Sequence, residues 1–545
     1  LLKSVLGAVD TENYSYGELF NEVNARTGGI SYGIEVFDDA QDTDAFRAMF
    51  AVRGKALYPE MDFMFSMIRE VLTTSKLTDT KRLYEIIARV RSRAQASLAS
   101  AGHSTAVLRG ASYASPMAAF QDEMAGIGYY QFIEKLEKDF DSCKDEIVKN
   151  LRKVMEEVLR PENFCVSYTG ERESLDVVKA QAAGIKKVLF NGQKPEPVKQ
   201  APCIKKNEAF KTSGQVQYVA QNGNFRKKGL EYTGALEILK VILSYDYLWI
   251  NLRVKGGAYG CMSGFKRNGE SFLVSYRDPH LKRTLEVYQG VPDYIRAFEA
   301  DEREMTKYII GTISNKDVPR TPQMQGSISK TAYFSNVTED MLQKERNQIL
   351  GAQKEDIQKL AALVEAVLSD DQICVVGSET AIEKAKDVFE NHYVTEIRQE
   401  YVLDCLSYAL GWTNTKVDSL DEYKAKVNKK NSKPKLNLEK EIVFKDSIDD
   451  NNKHNEQKEP DYDEILNQQK EEYRQEPVNT NRQFNDNNLN NRNNQNNYNN
   501  SNGNKKKLLL LIPLLLIIIG LGVTKLFSGP GDVEVSDFYF SPQTK

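Results

Sequence analysis

This 545-residue sequence is poor in histidine and has no paired metal-ligand motif. Its four histidines are His103, His280, His392 and His454, and none has a second histidine within one or two helical turns. Neither His-x-x-Glu-His nor His-x-x-x-His occurs, so no zinc-binding helix can be assembled from neighbouring residues. The six cysteines (Cys143, Cys165, Cys203, Cys261, Cys374, Cys405) are scattered and form no Cys-x-x-Cys. Three of them sit in apolar strand-like runs, which favours buried reduced thiols over a disulfide framework. A net charge of -4 and a pI near 5.9 argue against a dedicated nucleic-acid binder. Gly-x-Ser-x-Gly, Walker and dinucleotide fingerprints are missing too, which removes serine-hydrolase, nucleotide and NAD readings. There is no initiator Met and no signal peptide. Leu1 falls inside a hydrophobic pattern, so the sequence is expected to begin partway through a longer polypeptide.

What is present is a long core-forming region followed by a compositional break. Residues 1 to about 397 are mixed and periodic, and two segments within them match. Val158-Leu159-Arg160-Pro161-Glu162-Asn163-Phe164-Cys165-Val166 pairs with Val367-Leu368-Ser369-Asp370-Asp371-Gln372-Ile373-Cys374-Val375, and Cys374 lies 209 positions after Cys165. Gly28-Gly29-Ile30-Ser31-Tyr32-Gly33 similarly pairs with Gly256-Gly257-Ala258-Tyr259-Gly260. The landmarks Tyr129-Tyr130 and Tyr333-Phe334 fall between these ends in the same order. Three matches in one order predict a duplicated domain. Strand-like runs alternate irregularly with helical periods, so each copy reads as α+β, a mostly antiparallel sheet covered on one face by helices. The copies are expected at 1–190 and 203–397, joined by the polar, Pro-containing linker 191–202.

Within the second copy, Arg253 and Tyr259 stand six apart around Gly256 and Gly257. In an extended strand such positions share a face, and a glycine pair lets another backbone approach closely. A cation and a neutral phenol converging on one group suit a carbonyl that gains negative charge during acyl transfer. Fixed donors around such an oxyanion are typically worth about 3 to 4 kcal/mol. The same residues also fit a plain tight turn, with Tyr259 packed and Arg253 solvated. His280 after Asp278-Pro279 reads as a turn histidine, His103 as a capping or solvated residue in a small-residue loop, and Lys255 as chamber-facing or simply exposed.

The stretch YDYLWINLRVKGGAYGCMSGF, residues 245–265, resembles the last domain of the presequence proteases, a branch of the pitrilysin–insulinase metallopeptidases (M16, subfamily C). LLKSVLGAVDTENYSYGELFNEVNARTGGISYGIEVF, residues 1–37, resembles the start of that group's third domain. SYRDPH, Ser275 to His280, and the Tyr-rich segment near Tyr129 are similar as well. The resemblance covers about 1–397 and implies an M16/LuxS-like metallohydrolase fold, four related domains in two halves closing around a peptide chamber. It implies zinc in the first half, on an inverted histidine motif plus a distant Glu, and substrate-holding Arg and Tyr residues in the last domain. Arg253 and Tyr259, with Gly256 and Gly257, match the latter. Nothing here can inherit the metal-ligand or general-base roles, so the catalytic and metal sets are empty. Zinc is expected only for the complete enzyme.

Beyond the resemblance, 398–428 reads as a short helical segment and 429–504 as a disordered Asn-rich linker. Lys505-Lys506-Lys507 precedes an apolar run, and 508–527 is predicted to be a single transmembrane helix with a cytoplasmic N-terminal side. On that reading 528–545 is a short extracytoplasmic tail, and the peptidase-like part is cytoplasmic, tethered or, if the tail is foreign to it, free. The expected partners are a peptide substrate, an N-terminal zinc-bearing half in cis or trans, and the membrane; nucleic acid is not among them. Two functions compete. One is the substrate-binding half of a zinc endopeptidase that degrades unfolded peptides, inactive alone; the other is a non-catalytic, membrane-tethered peptide-binding or partner subunit.

Overall fold

In the computed structural model, residues 1–193, 203–389 and 534–540 are described, and all lie in one of the chain's two compact units. The first copy supplies an antiparallel hairpin, β1 (Ile30–Asp38) and β2 (Phe46–Ala56), and β3 (Phe164–Tyr168). The second supplies β4 (Glu208–Thr212), β5 (Tyr218–Asn224), β6 (Gly260–Phe265), β7 (Glu270–Tyr276) and β8 (Gln372–Ser378). A last strand, β9 (Glu534–Phe540), returns from the C-terminal region.

The sheet orders are β1-β2-β9-β3 and β4-β8-β5-β7-β6. Read from the hairpin end, β1, β2, β9 and β3 correspond to β6, β7, β5 and β8, and β4 is extra. Pairing is antiparallel except between β4 and β8. The matched cysteines fall at equivalent places, Cys165 in β3 and Cys374 in β8.

One face of each sheet carries its own copy's helices. In the second copy the Ala235–Tyr245 helix turns Leu236, Leu239, Ile242 and Leu243 into the core beside Val219, Leu273 and Val375. Each such fully buried aliphatic side chain contributes about 1.5–3 kcal/mol. In the first copy Met64, Phe65, Ile68 and Leu72 of the Met61–Thr74 helix do the same against Phe50 and Val52.

The expectation of a single covered face does not hold. The opposite face of the second sheet is covered by the first copy, whose Gly102–Ala111 helix and its flanks pack Leu98, Ala106 and Tyr113 on Phe210, Tyr218, Ala220 and Val376. Close approach requires glycine: a Cβ at Gly110 would stand 2.0 Å from Asn222 Nδ2. Reciprocally, Phe334 of the Pro322–Phe334 helix packs on Phe37, Met49 and Ala51 of the first sheet, with Phe37 and Phe334 ring centroids 5.0 Å apart. The copies therefore cover each other's sheets.

The segments expected at 398–428, 429–504 and 508–527 lie outside the described residues. Among the described residues no helix is long and apolar enough to cross a membrane. Residues 534–540, expected in a free extracytoplasmic tail, are instead β9, paired with β2 and β3.

Candidate functional site

The site begins where the Ala235–Tyr245 helix gives way to a π-helical turn, Trp249–Val254. Wide turns of this kind displace a side chain from the regular helical face and recur at functional sites. Here Arg253 is half-buried, its guanidinium carbon 4.4 Å from the centroid of the Trp249 ring. The chain then reverses: Gly257 N–H donates to the Arg253 carbonyl at 2.9 Å and Ala258 N–H to the Leu252 carbonyl at 2.9 Å. Gly257 has φ +77°, which a side chain would strain, and a Cβ on Gly256 would lie 2.4 Å from the Leu252 carbonyl oxygen. The glycine pair is thus required twice over, once by conformation and once by space.

After the reversal Tyr259 N–H donates to the carbonyls of Tyr276 (3.0 Å) and Arg277 (3.3 Å), fixing the turn to the end of β7. The Arg253 guanidinium comes back over the Tyr259 ring, 5.2 Å from its centroid, and one N–H donates to the Tyr259 carbonyl. Tyr259 is 63% exposed, so its phenol is available to a ligand. The structure brings the two residues together, but a π-turn and a glycine reversal achieve this rather than the same-face geometry of an extended strand. Lys255 is exposed and apart from them.

An aromatic base beneath Tyr259 was not legible in the sequence. Tyr259 leans on Tyr276 (centroids 5.9 Å), Tyr276 on Tyr218 (5.5 Å), and His103 of the first copy stands edge-on to Tyr276 at 5.0 Å, interplanar angle 84°. His103 is not the cap, which is Ala101, and it is half-buried: burial lowers its pKa, and its Nδ1 is buried without a hydrogen-bond partner. Arg277, in the left-handed region at φ +49°, lays its guanidinium 5.6 Å from the Tyr276 centroid. The spacing of Tyr218, Tyr276 and His103 carries no local signal, since three separate elements deliver them.

His280 sits in an exposed turn, its N–H donating to Asp278 Oδ1 at 2.9 Å. Asp278 is buried and receives Thr284 Oγ1 at 2.6 Å; burial raises its pKa against these hydrogen bonds. Among the described residues no three His, Cys, Asp or Glu side chains gather so as to hold a metal ion.

Arg253 and Tyr259 thus place a cation and a phenolic donor side by side, with Tyr259 exposed and backed by stacked rings.

The two-sheet α+β chain matches two family models of one class of peptidase. Residues 1–136 match the family described as peptidase M16 (subfamily C) associated, and residues 207–379 match the "PreP C-terminal domain". This chain carries the C-terminal half of a peptidase of family M16, subfamily C. It is 39% identical over 391 residues to "Protein HypA" of Clostridium perfringens (strain 13 / Type A), covering 72% of this chain and 40% of the relative. It is 28% identical over 385 residues to "Presequence protease 1, chloroplastic/mitochondrial" of Arabidopsis thaliana, covering 70% and 36%. A solved structure titled as the peptidase M16 inactive domain from Pseudomonas fluorescens overlays with a TM-score of 0.46 at 14% identity, over 69% of this chain and 87% of that one. The chain thus spans about 40% or less of the length of these curated relatives.

Proposed function

We propose that this chain is the substrate-holding half of a zinc-dependent, presequence protease-like endopeptidase acting on unfolded peptides, with zinc and general base supplied by an N-terminal half. The observation that carries the reading is the pairing of Arg253 with an exposed Tyr259 across the Gly256-Gly257 reversal. Arg253 orients a peptide carbonyl through its free N–H donors, and the Tyr259 hydroxyl donates to the same oxygen as charge develops in the tetrahedral intermediate. The shelf formed by Tyr276, Tyr218 and His103 steadies the Tyr259 ring, and Trp249 and Tyr259 flank the Arg253 guanidinium.

The test adds the zinc-bearing N-terminal half, in trans or fused, and follows cleavage of an unstructured fluorogenic peptide. Cleavage should require both halves, and Tyr259→Phe should slow turnover about 100-fold with peptide affinity little changed. An unchanged rate would refute the role of the phenol. Peptide binding that never leads to cleavage with the other half present, and that ignores chelators, would establish the non-catalytic binding subunit instead.

A further inference from the structure

The aromatic shelf carries a second guanidinium that the Arg253–Tyr259 pair does not use. In an extended strand neighbouring side chains point to opposite faces, so Arg277, the residue after the end of β7, would point away from Tyr276. It does the opposite. Its φ of +49° lies in the left-handed region that residues other than glycine seldom enter, and it folds the side chain back over Tyr276, 5.6 Å from the ring centroid. Hydrogen bonds on both sides hold that conformation. Asp278 N–H donates to the Gln217 carbonyl at 2.8 Å, Gln217 N–H to the Asp278 carbonyl at 2.7 Å, and Tyr259 N–H to the Arg277 carbonyl at 3.3 Å. The outcome is a continuous row, Trp249, Arg253, Tyr259, Tyr276 and Arg277, with a guanidinium on either side of the two tyrosines.

Arg277 is exposed, and its guanidinium bonds the Tyr218 hydroxyl. Among the described residues neither it nor Arg253 has a carboxylate partner, whereas Arg267, Arg296 and Arg346 of the same copy hold Glu345, Glu365 and Asp317. The adjacent acid, Asp278, is buried and turned to Thr284 and the His280 N–H. A guanidinium fork takes a carboxylate through two parallel hydrogen bonds, and one already stacked and oriented loses little freedom in doing so. We propose that Arg277 binds a carboxylate of the peptide whose carbonyl Arg253 and Tyr259 hold, so that an acidic side chain or a C-terminal carboxylate is a specificity element of the ligand. The inference rests on the substrate-holding reading of that pair. An extended backbone advances about 3.3 Å per residue, which sets the carboxylate roughly two to four residues from the held carbonyl.

The probe is a labelled, unstructured peptide titrated into the full chain in three forms: neutral and C-terminally amidated, amidated with one Glu near its middle, and neutral with a free C-terminal carboxylate. At least one carboxylate form should bind at least about fivefold tighter than the neutral one, an advantage that added salt reduces. The tighter of the two identifies the source. Arg277→Gln should bring that form to within about twofold of the neutral peptide and leave the neutral peptide's affinity unchanged, which the loss of a purely structural stack would not do. Arg277→Gly, suited to a φ of +49°, should do the same, which separates the effect from a folding defect in the first variant. Arg253→Gln should weaken all three forms and keep the preference. No preference in the parent chain, or a preference that outlives both Arg277 variants, overturns the proposal and leaves the pair's role intact. Equal binding of every form by parent and Arg253→Gln refutes the pair's role instead, and saturable binding of none of them overturns both.

Discussion

Replacing Arg109 by Ala tests whether the two copies fold as one body. Arg109, on the Gly102–Ala111 helix of the first copy, donates through Nε and Nη2 to Glu208 of β4 at 2.7 and 3.3 Å, and through Nη1 to Asp122 at 2.7 Å. Glu208 is fully buried and also accepts the Tyr113 hydroxyl at 2.8 Å. Burial works against the Arg109 charge, but the hydrogen bond to Glu208 and the charges of Asp122 and Glu208 outweigh it and raise its pKa. Removing the guanidinium leaves Asp122 with the backbone N–H groups of Ile127 (3.0 Å) and Gly128 (3.1 Å), so that carboxylate stays satisfied. Glu208 keeps the Tyr113 hydroxyl and a distant Lys206 ammonium at 3.8 Å, too little for a buried anion. Breaking such a pair from one side costs about 3–5 kcal/mol, whereas replacing both partners by neutral groups is far cheaper. Arg109→Ala should therefore lower the urea midpoint strongly, and Arg109→Met with Glu208→Gln should regain at least about half of the loss. A single variant costing under about 1 kcal/mol, or a double variant worse than the single, would refute the reasoning.

Three further outcomes are expected. Gly257→Ala, at φ +77°, should cost about 1–2 kcal/mol locally and weaken peptide binding, with Gly256→Ala worse because its Cβ meets the Leu252 carbonyl; peptide titration with thermal melts separates the two effects. Burial depresses His103 below its usual 6.5, so the unfolded chain takes up the proton first. Its stabilisation is complete above about pH 6.5 and is lost as pH falls from there through the folded value, and His103→Gln should flatten that part of a stability–pH curve. Deleting residues 529–545 removes β9 from between β2 and β3, exposing two unpaired edges, and should lower the first copy's melting point and promote aggregation, read by light scattering.

How much of this was legible depended on whether the signal was local. The duplication was, because a helix end, polar turn and strand around Cys165 and Cys374 form contiguous patterns that survive divergence. Covering of each sheet by the other copy's helix was not legible, since Gly102, Gly110 and Phe334 acquire meaning only against strands more than a hundred residues away. The Arg253–Tyr259 pairing was anticipated with the wrong backbone. Strand alternation and a π-turn with a glycine reversal both bring positions six apart together, and only coordinates distinguish them. Glu534–Phe540 ends in three aromatics but does not alternate, so its pairing with strands nearly four hundred residues or more away carried no local signal.

The aromatic shelf ties these observations to the proposed chemistry. Tyr259 rests on Tyr276, and Tyr276 is held on its far side by His103, which belongs to the first copy. His103 follows Gly102 in the first turn of a helix that this glycine lets down onto Tyr218, where any Cβ would come within 2.3 Å of the ring. Enlarging Gly102 would lift that helix, withdraw His103 from Tyr276 and loosen the ring on which Tyr259 leans, without touching the Arg253 turn itself. The orientation of the phenol is therefore a property of both copies, although both proposed substrate ligands lie in the second. Duplication with mutual covering lets a residue in the first copy steady a donor in the second, and a single isolated domain would have to find that rigidity elsewhere.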